Sequence, residues 1–165
     1  MAEDELYPNV EVFGSFPDGS IEDISSAIKK KQLILTSLRN VKGIYSSEIE
    51  KLLIGNEEPR PPLTQFGYSK KRFDLLTTKA TVDGFHDELG IAIEIEKGRG
   101  VAGNQIMLDL WKFIVIDEIQ YGVIIIPTIS REGKEKPFKT TVAKYSPLER
   151  KLVSIGIKGL AVFGY

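Results

Sequence analysis

The sequence contains no cysteine and a single histidine, His86. The first absence removes disulfide frameworks, thiolate metal sites and cysteine nucleophiles. The second removes a multi-histidine zinc centre and argues against a serine triad. Long apolar runs are missing as well. The longest, Val123 to Pro127, is the size of a strand, whereas a membrane-crossing helix needs ~20 residues. The acidic opening Met-Ala-Glu-Asp-Glu-Leu carries no apolar signal segment, so the sequence predicts a cytoplasmic protein with no membrane partner. An excess of one charge is also lacking. Lys and Arg number 22 against 23 Asp and Glu, a formal net charge of −1, which excludes a DNA-coating protein of the histone type. What is present is a chain of 165 residues, 42% of them hydrophobic, enough for one domain with a real core. Residues 1–9 read as an acidic, flexible leader to a single domain over 1–165. Any chemistry must run on carboxylates, lysines and hydroxyls.

No internal repeat or low-complexity segment interrupts the chain. Val10–Phe13 reads as a short strand closed by the turn at residues 14–19. Ser20 reads as an N-cap with Asp23 at N3, opening a helix to about Asn40 with Ile24, Ile28, Leu35 and Leu38 on one side. Ser47 with Glu50 repeats the capping-box pattern ahead of a short helix to about Ile54. Residues 55–65, rich in proline, read as a loop. Extended structure is expected from about Phe66 and over Phe73–Phe85. Ile91–Lys97 alternates strictly, the period of a strand. A helix from about Asn104 to Ile119 carries a predicted apolar stripe of Met107, Leu110, Trp111, Ile114 and Val115. Gly122–Pro127 reads as a buried strand, and Arg131–Lys139 as a charged loop. Ser146, Pro147 and Glu149 predict another helix start, ended by Gly156, and Gly159–Tyr165 a last strand. The expected fold is α/β (α+β), with a mixed central sheet of about five strands flanked by helices.

On the strand 91–97, Ile91, Ile93 and Ile95 share one face, and Glu94 and Glu96 the other. A hairpin turning at residues 86–90 pairs positions whose numbers sum to about 177, which sets Asp83 opposite Glu94 and Thr81 opposite Glu96. Opposed carboxylates about 5 Å apart repel unless a cation or proton lies between them. An oxygen-only cluster of this kind suits Mg²⁺, with Mn²⁺ able to substitute. The same alternation also describes a solvent-facing sheet edge, and the residues by themselves leave both readings open.

Val82-Asp83-Gly84-Phe85 followed by Ile91-Ala92-Ile93-Glu94-Ile95-Glu96 resembles the core of the PD-(D/E)XK nucleases. More narrowly it resembles the BamHI and BglII group of type II restriction endonucleases, in which the usual lysine is replaced. The likeness continues through Leu108–Phe113 and Tyr121–Pro127. It implies a restriction-endonuclease-like fold and a Mg²⁺-dependent endodeoxyribonuclease, cutting as a homodimer. It further implies that Asp83 and Glu94 bind the metal with the backbone carbonyl of Ile95, and that Glu96 orients or deprotonates the attacking water or contributes to a second metal. Glu50 and Glu48 are both candidates for an additional acid from an upstream helix. Position 96 departs from the wider superfamily in lacking its lysine. Lys97 points to the opposite face of the strand. The other functions open to this chain are a standalone DNA repair or junction-processing nuclease, and a non-catalytic DNA-binding or assembly subunit with the same fold.

Gly98-Arg-Gly-Val-Ala-Gly103 spells a dinucleotide-type glycine motif between strand and helix. Glu94 and Glu96 just before it would repel a pyrophosphate, and the acid expected after the next strand is absent, so no organic cofactor is expected. Among basic groups, Lys70, Lys71, Arg72 and Arg99 lie nearest the proposed site in sequence and are the candidates for DNA contact. The balance beyond Glu11 is only 22 basic against 19 acidic residues, a weak nucleic-acid signature. Trp111 and Phe113 read as core or subunit interface, and the triple lysine 29–31 as a solvated helix face.

Overall fold

The computed structural model describes residues 9–39, 41–97, 104–130 and 132–165. The leader up to residue 8, the glycine motif 98–103 with Arg99, and Arg131 lie outside them. Asn9, expected in the leader, already belongs to the first strand. The strands are β1 (Asn9–Gly14), β2 (Ser69–Asp74), β3 (Lys79–His86), β4 (Ile91–Ile95), β5 (Tyr121–Ile126) and β6 (Gly159–Gly164). The helices are α1 (Ser20–Arg39), α2 (Ser46–Leu53), α3 (Pro62–Gln65), α4 (Gln105–Val115) and α5 (Pro137–Tyr145). One mixed sheet of order β1-β6-β5-β4-β3-β2 results, with β4, β5 and β6 parallel and the remaining pairs antiparallel. Among the described residues no helix is long and apolar enough to cross a membrane.

Alternation along the central strands divides the core in two. Ile91, Ile93 and Ile95 of β4, with Val123 and Ile125 of β5, pack under Ile24, Ile28, Ile49, Leu53 and Leu63 of α1–α3. Ala92, Ile124 and Ile126 face the other way, against Ile106, Leu110 and Phe113 of α4 and Tyr145 of α5. Both faces of the parallel strands are thus covered by helices, as such sheets require. The fold is the α/β arrangement read from the sequence, with six strands in place of about five.

The extra strand comes from the stretch read as continuous between Phe73 and Phe85. It is a second hairpin, in which the Leu75 N–H bonds the Thr78 carbonyl at 2.8 Å and β2 turns into β3. Ser20 is not an N-cap: it is buried, and its hydroxyl donates to the Pro17 carbonyl at 2.7 Å, while the Asp23 N–H bonds Gly19. The loop 55–65 contains the single turn α3, which starts on Pro62, a residue pre-set for a first helical turn. The helix expected from Ser146 is instead α5, begun at Pro137 inside the presumed charged loop, and residues 146–151 and 153–155 follow as 3₁₀ turns. Gly156 closes them at φ +80°, as expected.

Helix α4 ends at Val115, earlier than Ile119, and its inner face differs from the predicted stripe. Ile106, Leu110 and Phe113 are buried, whereas Met107, Trp111 and Ile114 are 41%, 48% and 39% exposed. Its approach to the sheet depends on Gly122 of β5, where an added Cβ would stand 2.2 Å from the Phe113 ring. Gly122→Val should therefore lower the free energy of unfolding by about 1–3 kcal/mol through overpacking. Urea denaturation of variant and wild type checks this, with a shifted midpoint at unchanged slope as the expected result.

Candidate active site

The β3–β4 hairpin has the register expected for it: Gly84 pairs with Ile93, Phe85 with Ala92 and His86 with Ile91. The ladder then stops, because the Asp83 side chain replaces the backbone, its Oδ2 accepting the Ile95 N–H at 2.8 Å. Thr81 therefore has no ladder partner at Glu96; its pairing is with Arg72 on the β2 side. This bond fixes Asp83 beside residues 94–96, at the carboxyl end of a parallel strand, where α/β sheets bind their ligands.

Glu94 projects toward α4 and is 3% exposed, so the expectation of a solvent-facing polar edge fails. Its Oε1 accepts a 2.7 Å hydrogen bond from Lys112 Nζ, which also lies 3.4 Å from Asp109 Oδ1. Asp109 is fully buried. Its Oδ1 takes a 3.1 Å bond from Gln105 Nε2, and its Oδ2 has no hydrogen-bond partner among the described residues. Glu96 is held by its N–H to the Ile125 carbonyl at 2.8 Å, and its carboxyl and that of Asp109 act on each other electrostatically.

The two glutamates of the upstream helix are placed differently. Glu48 caps α2, its carboxylate accepting the Tyr45 N–H. Glu50, two residues on, feels the charge of Asp83 and forms a 2.9 Å ion pair with Lys70. A cavity of about 440 Å³ opens beside this pair, lined by Glu50, Ile54, Asn56, Thr64, Ser69 and Lys70. Of the other basic candidates, Lys71 pairs with Asp87 and lies 4.6 Å over the Phe85 ring, so its charge is already engaged. Arg72 is exposed on β2. Lys97, as expected, turns away from the acids, its ammonium donating to the Val41 and Ile44 carbonyls.

Asp109 and Lys112 are the residues sequence reasoning missed. Both fall inside the stretch Leu108–Phe113 quoted for its likeness, and an acid and a lysine three apart in an otherwise apolar helix are the signal that was available. Together the site gathers five carboxyls (Glu50, Asp83, Glu94, Glu96 and Asp109) around two ammoniums, Lys70 and Lys112. The imbalance governs its protonation. Burial first, then the charges of Asp83 and Asp109, push Glu94 up to about 9 against the pull of Lys112. Burial and the same two aspartates push Glu96 up to about 8. Burial also raises Glu50 and Asp109, opposed mainly by Lys70 and Lys112 respectively. Burial draws Lys112 down, yet Glu94 and Asp109 outweigh it and hold its ammonium charged.

A surplus of oxygen donors and negative charge fits a hard divalent cation. Among the described residues no three acidic or histidine side chains are grouped closely enough to enclose one ion. Mg²⁺ does not need such a cage, since it is commonly held by one or two carboxylates with water and phosphate completing its shell. Without metal, protons must fill the deficit, and the native state holds the Glu94 proton long after the unfolded chain has lost it. Stability of the metal-free protein should therefore fall as pH rises from about 5 to about 9. Glu94→Gln should flatten that decline, checked by urea denaturation in EDTA at three pH values across the range.

Comparison with known proteins matches residues 23–165 to the model of a family described as "Putative halobacteria restriction endonuclease". No curated protein matches the chain, and no solved structure does. The match takes in every residue of the carboxylate site, and the chain belongs to this restriction-endonuclease family.

Proposed function

We propose that the protein is a Mg²⁺-dependent DNA endonuclease that hydrolyses phosphodiester bonds as a restriction enzyme, with a PD-(D/E)XK centre patterned like that of the BamHI and BglII group. The observation that carries this reading is the Asp83–Ile95 bond, which brings Asp83, Glu94 and Glu96 to one end of β4 in a chain of restriction-endonuclease family. Asp83 and Glu94, with the Ile95 carbonyl, would hold the metal, and Glu50 is the additional acid beside Asp83. The bound ion offsets the charge that develops on the phosphate during attack by water. Glu96, with its proton affinity raised toward neutrality by burial and by Asp109, suits proton transfer from that water. Lys112 holds Glu94 in place from α4 and compensates its charge. This supports the absence of a lysine at position 96: an ammonium reaches the same carboxylates from a different element. Among the described basic candidates Arg72 is best placed to meet the DNA backbone, Lys70 and Lys71 being paired with Glu50 and Asp87, and Arg99 remains a candidate from the sequence.

Incubation of supercoiled plasmid and linear duplex with Mg²⁺, Mn²⁺ or EDTA tests the reading. Discrete metal-dependent fragments are expected, with Asp83→Ala and Glu94→Ala lowering the rate by about 100-fold or more while the fold is kept. Smearing, or cutting of branched substrates alone, would favour a repair or junction nuclease. No cleavage of any substrate would leave a non-catalytic subunit.

Cutting both strands of a duplex calls for two such sites related by a two-fold axis. The proposed homodimer would use the exposed apolar face of α4, where Met107, Leu108, Trp111 and Ile114 present no charge. Trp111→Lys is expected to halve the mass measured by light scattering. A wild type that is monomeric with and without DNA overturns the dimer.

A further inference from the structure

We propose that the loop leaving β5 and the first turn of α5 form a surface for the DNA backbone, in which Lys134, Lys136 and Lys139 meet phosphates flanking the one at the carboxylates. That the partner is duplex DNA rests on the nuclease reading. The surface rests first on its place in the fold. Strands β4 and β5 are parallel, with Ile95 beside Ile125, so the loop after β5 leaves the sheet at the end where Glu94 and Glu96 stand. It also opens onto the same face. Glu94 projects toward α4, and Phe138, Val142 and Tyr145 of α5 share one core with Ile106 and Leu110 of α4. The Tyr145 hydroxyl ties the two helices by donating to the Ile106 carbonyl at 2.6 Å. Strand order sets Arg72 of β2 two strands from β4 on one side. Helix α5 begins over β6, two strands away on the other, where a Cβ added to Gly164 would stand 2.9 Å from the Phe138 ring. The acids therefore lie between two basic flanks.

The loop is also built to hold its shape. The Ser130 N–H bonds the Glu135 carbonyl and the Gly133 N–H bonds the Ser130 carbonyl, both at 2.9 Å, while Ser130 Oγ accepts the Glu135 N–H at 3.1 Å. The Phe138 N–H then returns to the Pro127 carbonyl at 3.1 Å. A loop pinned in this way presents its lysines with less ordering cost on binding. Charge completes the case. Lys134, Lys136 and Lys139 are exposed, and among the described residues none of them has an ion-pair partner, whereas Lys70, Lys71 and Lys112 are all engaged. Glu132 and Glu135 share the loop without pairing to these lysines. From residue 132 to residue 151 six basic residues face three acidic ones, against a net charge of −1 for the whole chain. Exposed ammoniums with no protein partner can replace counterions on a phosphate backbone. As point charges they hold and orient a duplex without reading its sequence.

Fluorescence anisotropy of two labelled duplexes of unrelated sequence, titrated with the full-length protein in EDTA over a range of salt, tests this surface. Lys134→Gln, Lys136→Gln and Lys139→Gln combined should raise Kd about tenfold or more on both duplexes, and should lower the salt slope by about one per lysine. Arg150→Gln, Lys151→Gln and Lys158→Gln combined remove the same charge at the other end of the sheet. There Leu152 lies against Gly14, the partner of Gly159, and the Lys158 N–H bonds the Gln120 carbonyl ahead of β5. This control should change Kd less than about twofold, its charges being screened from the bound backbone. Circular dichroism confirms folding, and the single variants carry the test if a triple variant does not fold. Equal weakening by both triple variants overturns the surface, because net charge then accounts for binding. Wild-type affinity in the Lys134, Lys136 and Lys139 variant overturns it too, as does a wild type that binds RNA and no duplex. Plasmid cleavage run alongside keeps the two readings apart. Cutting by wild type with unchanged binding in that variant sinks the surface alone. Binding lost in that variant, with no cutting by wild type, keeps the surface and sinks the nuclease.

Discussion

The 2.7 Å bond between Lys112 and Glu94 is the interaction on which the rest of the site depends. A carboxylate with 3% exposure is tolerable only with a compensating charge or a retained proton. The compensating charge comes from α4, so the helix must lie close over the sheet. Three features secure that closeness: the Ile106, Leu110 and Phe113 face in the core, the bare backbone of Gly122 beneath Phe113, and the Tyr145 hydroxyl on the first turn of α4. The βαβ unit from β4 through α4 to β5 is therefore both the centre of the fold and the frame of the chemistry. Its apolar contacts position polar groups that would otherwise destabilise it.

The strands carrying the acids were the most legible part of the sequence. Alternation placed the isoleucines of β4 on one face, and the short turn at 86–90 fixed the register of Gly84 with Ile93. Local rules sufficed there because each residue's orientation follows from period two. They also identified two candidate acids on α2 and could not choose between them. The choice lies in an N-cap geometry set two residues earlier than the Ser47–Glu50 pattern: Glu48 turns back to Tyr45, and Glu50 is left under the influence of Asp83.

Helix α4 was read one face over for a related reason. Nearly every position from Ile106 to Val115 is apolar, so several stripes fit the helical period equally well, and Met107, Trp111 and Ile114 make as good a stripe as Ile106, Leu110 and Phe113. Tertiary packing resolves the tie. The informative residues were the polar ones: Asp109 sits within the buried face and Lys112 at its margin, an expense that an ordinary core helix avoids. Proline misled in the opposite sense. Pro62 starts a helical turn where proline content suggested a loop, and Pro137 starts one inside the stretch read as a charged loop, because a first turn needs no donor from that residue.

Near-neutral composition conceals a strong local field. Five carboxyls and two ammoniums crowd one end of β4, while the described basic groups nearest to them are either paired, as Lys70 and Lys71 are, or set out on the exposed edge strand, as Arg72 is. On the proposed reading, a phosphodiester approaching this cleft meets repulsion until cations or protons offset it. Cation binding and backbone binding then favour each other, and the coupling must be reciprocal. A protein with a formal net charge of −1 has little to gain from counterion release alone. On that reading the weak basic signature and the acid-rich site are one property, the positive charge that the chain lacks arriving with the proposed metal.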